Sequence, residues 1–407
     1  MAAHHYGVAM TRQLVSTRVR RHRTVVGSVF TAILIALGVA INSCGGPGPT
    51  IAPKTVPQMR STTTTTPLFS GPGTGIGLLA PGSDPSVLPG PVLIADEGNN
   101  RLIVVDAQGR TLWTWPQPGD LPPGVSFKSP DDAFFTPNGK QIIATEEEYS
   151  VVTLIDVASR KILWRYGTPG VPGDGPNQLS NPDDALVLPD GDVFTADIKN
   201  CRLLLIAPYA HVPSQIYGTT TQACQHAPPQ HFGSPNGAFP MANGHYLVTE
   251  INGDWVDEVD LAGTIYGSWH PPGVAYPSDS NETAPGKFLT VDYSSPGQIE
   301  TFDAVGRLLW RYRPTGSSAL NHPSLALPLP NGDVIATDDA NDRVIVVDPK
   351  TNAIVWQYGV RGESGDGPGL LNAVDGLDLV PPYSDLVSHA TTMGLPLAPS
   401  VSTYATP

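Results

Sequence analysis

The chain has 407 residues, with 43 prolines, 42 glycines and 15% charged side chains, a turn-heavy balance that suits many short strands and excludes a mainly helical or coiled-coil protein. Its formal net charge is −14, and residues 1–43 hold five arginines and no acid, so the remainder lies near −19. Such a surface repels phosphate polymers and anionic lipid, which argues against nucleic acid and leaves cations, basic or cell-surface proteins, neutral glycans and small molecules as partners.

In chain order, Arg18, Arg20, Arg21 and Arg23 precede an uncharged stretch, 25–41, which runs into Asn42-Ser43-Cys44-Gly45. This is the layout of a signal peptide or membrane anchor over residues 1–43. Seventeen residues of helix span only about 26 Å, short of a hydrocarbon core of roughly 30 Å. The segment resembles a bacterial lipoprotein signal, which implies cleavage before Cys44 and lipidation of that cysteine; an uncleaved helical anchor is the alternative. Either way the basic flank holds the N-terminal end in the cytoplasm. The rest is expected at the extracytoplasmic face of the bacterial cell membrane, or at the cell surface, touching the membrane only through that anchor. Residues 44–77, rich in proline, glycine and threonine with a threonine run at 62–66, read as a tether.

A repeat fills residues 78–383. The segment from Asn181, NPDDALVLPDGDVFTADIKNCRLLLI, parallels that from His322, HPSLALPLPNGDVIATDDANDRVIVVD, and further copies start at Ser129 and Ser234. Aligned on the position after the recurring proline, the copies fall at Asp131, Asp183, Asn236, Ser278, Ser324 and Asp375, a spacing of propeller blades. Each copy parses into four strands: in the last full one, 325–328, 334–337, 343–348 and 353–358 alternate with turn signals. Rings recur on the fourth strand at Trp113, Trp164, Tyr217, Trp269, Trp310 and Trp356, where they are expected to fill the wedge between sheets. The first copy lacks a clear inner strand while 372–380 is an orphan one. The expected fold is therefore all-β, a six-bladed propeller of four-stranded antiparallel blades closed by the C-terminal strand. Seven blades is the alternative if 76–80 opens a sheet of its own. The tail, 384–407, has no strand periodicity.

Two cysteines remain besides Cys44. Cys201 precedes a third strand and Cys224 lies in the loop after the fourth strand of the same copy. They can form a disulfide in an oxidising compartment or stand as two free thiols. His226 and His231 beside Cys224 admit a metal cluster, but the proline-rich loop reads more readily as presenting them as surface polar groups.

Two sets of acids share one face in an up-and-down blade. The first opens the inner strands: Asp131-Asp132, Asp183-Asp184, Asn236, Asp279 and Asp375. The second occupies the turns between second and third strands: Asp96-Glu97, Glu146-Glu147-Glu148, Asp197, Glu250, Asp254 and Asp338-Asp339. Gathered about an axis, their oxygens suit a hard divalent cation such as calcium, with Asp131, Asp183, Asn236 and Asp375 as the expected ligands. The competing reading is that each aspartate bonds the amides of its own turn. A doubled acid exceeds what one turn needs.

The stretches ADEGNNRLIVVDAQGRTLW, ADIKNCRLLLI and DDANDRVIVVDPKTNAIVWQYGVRGESGDGPGLL resemble the NHL repeat over most of residues 90–380. That resemblance implies a six-bladed propeller in which Asn99, Asn200 and Asn341 suit a tight turn and Arg101, Arg202 and Arg343 brace neighbouring blades. SPNGAFPMANG resembles a segment of lactonase-type propellers, implying an axial metal site that includes Asn236. HPSLALPLPNG resembles the arylsulfotransferases, implying His322 as a sulfuryl acceptor. VVDPKTNAIVW is similar to quinoprotein repeats, without their adjacent cysteines.

Fold does not fix function. Two classes stay open: a non-catalytic ligand- or protein-binding scaffold acting through its acidic face, and a metal-dependent hydrolase or lyase with Asp132 or Asp184 as base.

Overall fold

The computed structural model describes residues 77–382, except Gln222, together with Phe69. The segment 1–43, Cys44, the tether as far as residue 76 and the tail 384–407 lie outside the described residues. Among the described residues no helix is long and apolar enough to cross a membrane.

Six four-stranded antiparallel sheets form the ring. Blade two spans 130–167, blade three 182–217, blade four 235–269, blade five 277–312 and blade six 326–358, each running from its inner to its outer strand. Blade one takes three strands from 92–115 and its innermost strand from Val374–Leu379, which pairs antiparallel with Val92–Asp96. The closure read from the orphan strand is thus the observed one, and it leaves neither chain end as an open sheet edge. Among the described residues no seventh sheet is found: Leu79 makes a single bridge to Tyr358, on the outer strand of blade six.

The short strands follow from β-branched and aromatic runs cut by turns. In blade six Val334–Asp338 and Arg343–Asp348 are separated by a left-handed residue, Asp342; Asn100 and Cys201 hold that place in blades one and three. Both faces of the inner and second strands are covered, so their burial is continuous and not alternating.

The outer-strand rings do more than fill space. Trp164, Trp269 and Trp356 donate their indole N–H to Ala210 O, Ala304 O and Ala107 O, at 3.0, 2.9 and 2.9 Å. Trp310 donates to Asn352 Oδ1 at 2.7 Å and the Tyr217 hydroxyl to Leu261 O at 2.8 Å. Every acceptor lies in the hairpin between third and fourth strands of the next blade. In blade one the donor is Trp115, to Arg160 O at 3.1 Å, while Trp113 lies under the Arg160 guanidinium at 5.3 Å. Each seam therefore combines a packed ring with one directed bond; the ring is buried at Trp115, Trp164, Tyr217 and Trp356 and partly buried at Trp269 and Trp310, and an indole taken from water needs such a partner.

The bracing arginines hold inter-blade loops. Arg202 donates to Asp174 O and Gln178 O, in the glycine-rich loop that leads into its blade, and Arg101 does the same to Asp366 O and Leu370 O. Arg343 differs, bonding Gln357 of its own blade, because the chain reaches blade six without that glycine-rich loop. Cys201 and Cys224 form a disulfide that ties the loop after blade three to the start of that blade's third strand. Converting both cysteines to alanine is expected to cost about 3 kcal/mol, read as a lower midpoint in denaturant melts, with the ring retained.

Candidate metal centre

The inner strands begin with a kink. Ser129, Asn181, Ser234, His322 and Ala373 have φ between 43° and 58°, and all but Ala373 precede a proline. Pairing with the second strand then skips two residues, between Pro130 and Ala133, Pro182 and Ala185, Pro235 and Ala238, and Pro277 and Ser280. A bulge of this kind frees side chains from the ladder and re-aims them. The freed pairs are Asp131-Asp132, Asp183-Asp184, Asn236-Gly237 and Ser278-Asp279; blades six and one contribute Ser324-Leu325 and Asp375-Gly376.

The first members of all six pairs line one cavity of about 60 Å³, with Glu147, Tyr276 and Tyr293 beside them. The ring has two chemically different halves. Blades four to six supply neutral groups already bonded to one another: Asn236 Nδ2 donates to Ser278 Oγ at 3.0 Å, and Ser278 Oγ lies 3.2 Å from Ser324 Oγ. Blades one to three supply Asp375, Asp131 and Asp183. One oxygen each from Asp131, Asp132 and Asp183 lies within 4.8 Å of the others, and the same holds for Glu97, Asp131 and Asp375. Among the described residues no N–H group donates to Asp183 Oδ2 or Asp375 Oδ1, which are enclosed beside the Asp131 carboxyl. These aspartates therefore do not cap their own turns; they point their oxygens at each other. An all-oxygen donor set of this kind suits a hard cation.

Behind this ring lies a second layer. Asp132, Asp184 and Asp279 approach within 4.8 Å of one another and are at most 2% exposed. Gly237 and Gly376 make room for it, since a Cβ on either would collide with Asp279 Oδ1 or Asp132 Oδ1. Asp184 Oδ2 accepts from Ala238 N of blade four at 2.7 Å, so this layer also ties blades together.

The turn acids divide by position. The residue ending the second strand accepts a backbone N–H from the segment leading into its own blade: Asp96 from Asn372, Glu146 from Lys128, Asp197 from Ser180, Glu250 from Gly233, Asp292 from Ala275 and Asp338 from Asn321, at 2.6 to 3.2 Å. These acids are clamps and do not line the axial cavity, contrary to the expectation that the whole turn set converges there. The residue after the clamp is the one turned inward: Glu97, Glu147, Tyr293 and Asp339, with the Tyr293 hydroxyl donating to Asp339 Oδ2 at 2.8 Å. Ser278, Ser324, Tyr276 and Tyr293 were not expected at the site. The two serines occupy the aligned column that names the aspartates, so that column was the available signal.

His322 lies outside the cavity, with its ring centroid 4.8 Å from that of Tyr293, and no metal-ligating group among the described residues includes it. His226 is partly exposed but not a free surface group: its Nδ1 is 2.9 Å from Glu250 Oε2. Cys224 Sγ is committed to the disulfide, so it adds no ligand there.

Burial and crowding set the charge state. Asp131, Asp132, Asp183 and Asp279 are held well above the ordinary aspartate range, first by burial and then by neighbouring carboxylates. At the rim, burial and then Asp375 push Glu97 up to about 9 and Asp339 to about 7. Burial, and less strongly Glu148, carries Glu147 to about 7 against the opposing bond from Asn181.

A family profile described as outer membrane protein assembly factor BamB matches residues 284–376, within blades five and six and the closing strand. No curated protein matches the chain. A protein of unknown function from Bacteroides caccae is similar at 16% identity and a TM-score of 0.51, over 72% of this chain and all of that one. A chain of a nidogen/laminin complex is similar at 12% identity and a TM-score of 0.50, over 72% and 98%. Virginiamycin B lyase from Staphylococcus aureus is similar at 16% identity and a TM-score of 0.45, over 66% and 83%. At these identities the likeness is one of fold.

A carboxyl that holds its proton more tightly folded than unfolded stabilises the fold below its unfolded value, near 4, and loses that contribution as pH rises through its folded value. In chelator the melting temperature is therefore expected to fall between about pH 5 and about pH 9. Glu147→Gln should flatten the part below about pH 7, whereas a profile unchanged by that substitution would remove the rim acids from the account.

Proposed function

We propose that this chain is an extracytoplasmic binding propeller whose axial mouth holds a divalent cation of the calcium type and presents the surrounding acidic rim to a cell-surface protein, glycan or small ligand. The observation that carries this reading is the asymmetric oxygen ring, with three carboxylates on one half, a bonded amide and two hydroxyls on the other, and buried carboxylate oxygens left without donors. Two or more carboxylates this close stay ionised together only with a compensating positive charge. The donors are all oxygen, which favours calcium or magnesium over softer ions.

Size favours binding over catalysis. A cavity of about 60 Å³ suits a cation with a few waters, whereas pockets for organic substrates run to roughly 300 Å³ and above. Asp132 and Asp184, the bases of the hydrolase or lyase reading, do not line that cavity. Support for an extracytoplasmic place comes from the Cys201–Cys224 disulfide, a bond that persists in oxidising compartments. A lipid on Cys44 fits this placement and remains part of the proposal.

Calcium at a hundredfold excess over its Kd is expected to stabilise the protein by about 2.7 kcal/mol in thermal melts. Asp131→Asn combined with Asp183→Asn should abolish that gain. If neither calcium, magnesium nor manganese moves the wild-type melt, the axial cation is wrong. Turnover of any lactone, ester or sulfate ester that disappears in the same double variant would instead bring back the hydrolase.

A further inference from the structure

We propose that His226, Glu250 and Asp257 form a second metal site, in blade four and separate from the axial mouth, for a borderline divalent transition cation of the zinc type. The three offer an imidazole nitrogen and two carboxylate oxygens that all lie within 4.8 Å of one another. His226 Nδ1 is 2.9 Å from Glu250 Oε2 and 3.6 Å from Asp257 Oδ2.

The other five blades say what this place normally requires. Each buries a carboxylate and sets an arginine against it, at the end of the second strand in four blades, Asp96 with Arg101, Glu146 with Arg165, Asp197 with Arg202 and Asp338 with Arg343, and on the third strand in blade five, Glu300 with Arg311, at 2.6 to 3.0 Å. The arginine comes from one of two positions. In blades one, three and six it opens the third strand; in blades two and five it sits on the fourth, opposite Thr153 and Glu300. Blade four has Trp255 at the first of these positions and Ser268 at the second, opposite Asp257. It nevertheless buries two carboxylates, Glu250 and Asp257, both 0% exposed. Among the described residues no N–H or O–H group donates in good geometry to Glu250 Oε1 or to either oxygen of Asp257, which has Glu250 itself, the Ser268 hydroxyl and His226 beside it. Where a cation is demanded by the pattern of the fold, this blade supplies only an imidazole.

The surroundings hold that imidazole in place. His226 stacks on Trp255 with ring centroids 4.2 Å apart, and His270 also packs on that indole, tilted, at 3.6 Å between centroids. Its loop is pinned two residues away by the disulfide at Cys224, and by Asn252 Nδ2 donating to Cys224 O at 3.1 Å. Gly233 N donates to Glu250 Oε2, which fixes the carboxylate from behind. One nitrogen and two oxygens select zinc, cobalt or manganese over calcium, and the partly exposed edge of His226 leaves a coordination position facing solvent. A group of three ligands on blade four and the loop before it would join the blade-three seam to blade four without an arginine.

The test uses the purified full-length chain, stripped with chelator and titrated with zinc alone by calorimetry, with bound metal counted after dialysis. One zinc equivalent is expected to disappear, or its Kd to weaken at least about tenfold, in His226→Ala and in Asp257→Asn. It should persist in the axial variant Asp131→Asn/Asp183→Asn, which separates this site from the calcium reading. Cobalt should quench part of the tryptophan fluorescence through Trp255 in the wild type and not in His226→Ala. His226 lies in a loop, so that variant is expected to keep the wild-type circular dichroism and answers the question even if Asp257→Asn unfolds. Zinc stoichiometry and affinity unchanged by His226→Ala, or no zinc bound by the wild type, would overturn the site.

Discussion

Closure of the ring is the constraint on which everything else in the molecule depends. A four-stranded sheet of this chain has two apolar faces, and each is covered only when the next blade is in place. The pairing of Val374–Leu379 with Val92–Asp96 completes the circle, and Trp356 donating to Ala107 O completes the sequence of ring-to-hairpin bonds across its last seam. Once the six inner strands stand about one axis, their first residues have to meet. The carboxylate gathering is thus imposed by geometry: place aspartate in that column of the repeat and the fold will bury it beside its counterparts, at an electrostatic cost that only protonation or a cation offsets.

Repetition also makes each blade a control for the others. The clamp carboxylate occurs in all six, always accepting an amide from the incoming segment, so that one bond is structural wherever it stands and only what a blade adds to it is particular. The arginine beside a buried acid occurs in five. What departs from the pattern carries the information: blade five also buries a second acid, Glu300 beside the clamp Asp292, but sets Arg311 against it, whereas blade four buries Glu250 and Asp257 with no guanidinium.

Much of this was legible in the sequence, for reasons of period. Strand length, turn residues and the recurring proline pointed to six blades over seven, to the orphan inner strand and to the column Asp131, Asp183, Asn236, Asp375. Adjacent acids were not separable in the same way. Alternation along a regular strand would send Asp131 and Asp132 to opposite faces, but the bulge that follows Pro130 puts both near the axis in two layers. For the same reason Asp96 and Glu97 looked equivalent, and only the amide of Asn372 shows one to be a clamp. Trp113 and Trp115 exchange roles because the next hairpin ends in Arg160, whose guanidinium covers the first ring and whose carbonyl meets the second. The orientation of His226 depends on a disulfide-bound loop with no period at all.

The position of Asp375 gives the axial mouth a property that none of its other groups confers. It is carried by the strand that completes blade one, while Asp131 and Asp183 belong to blades two and three. An ion gripped by these three would act as a rivet through the overlap of a hoop, and the affinity of the rivet and the strength of the overlap would then be one quantity. Peeling the last strand from the first would discharge the ion.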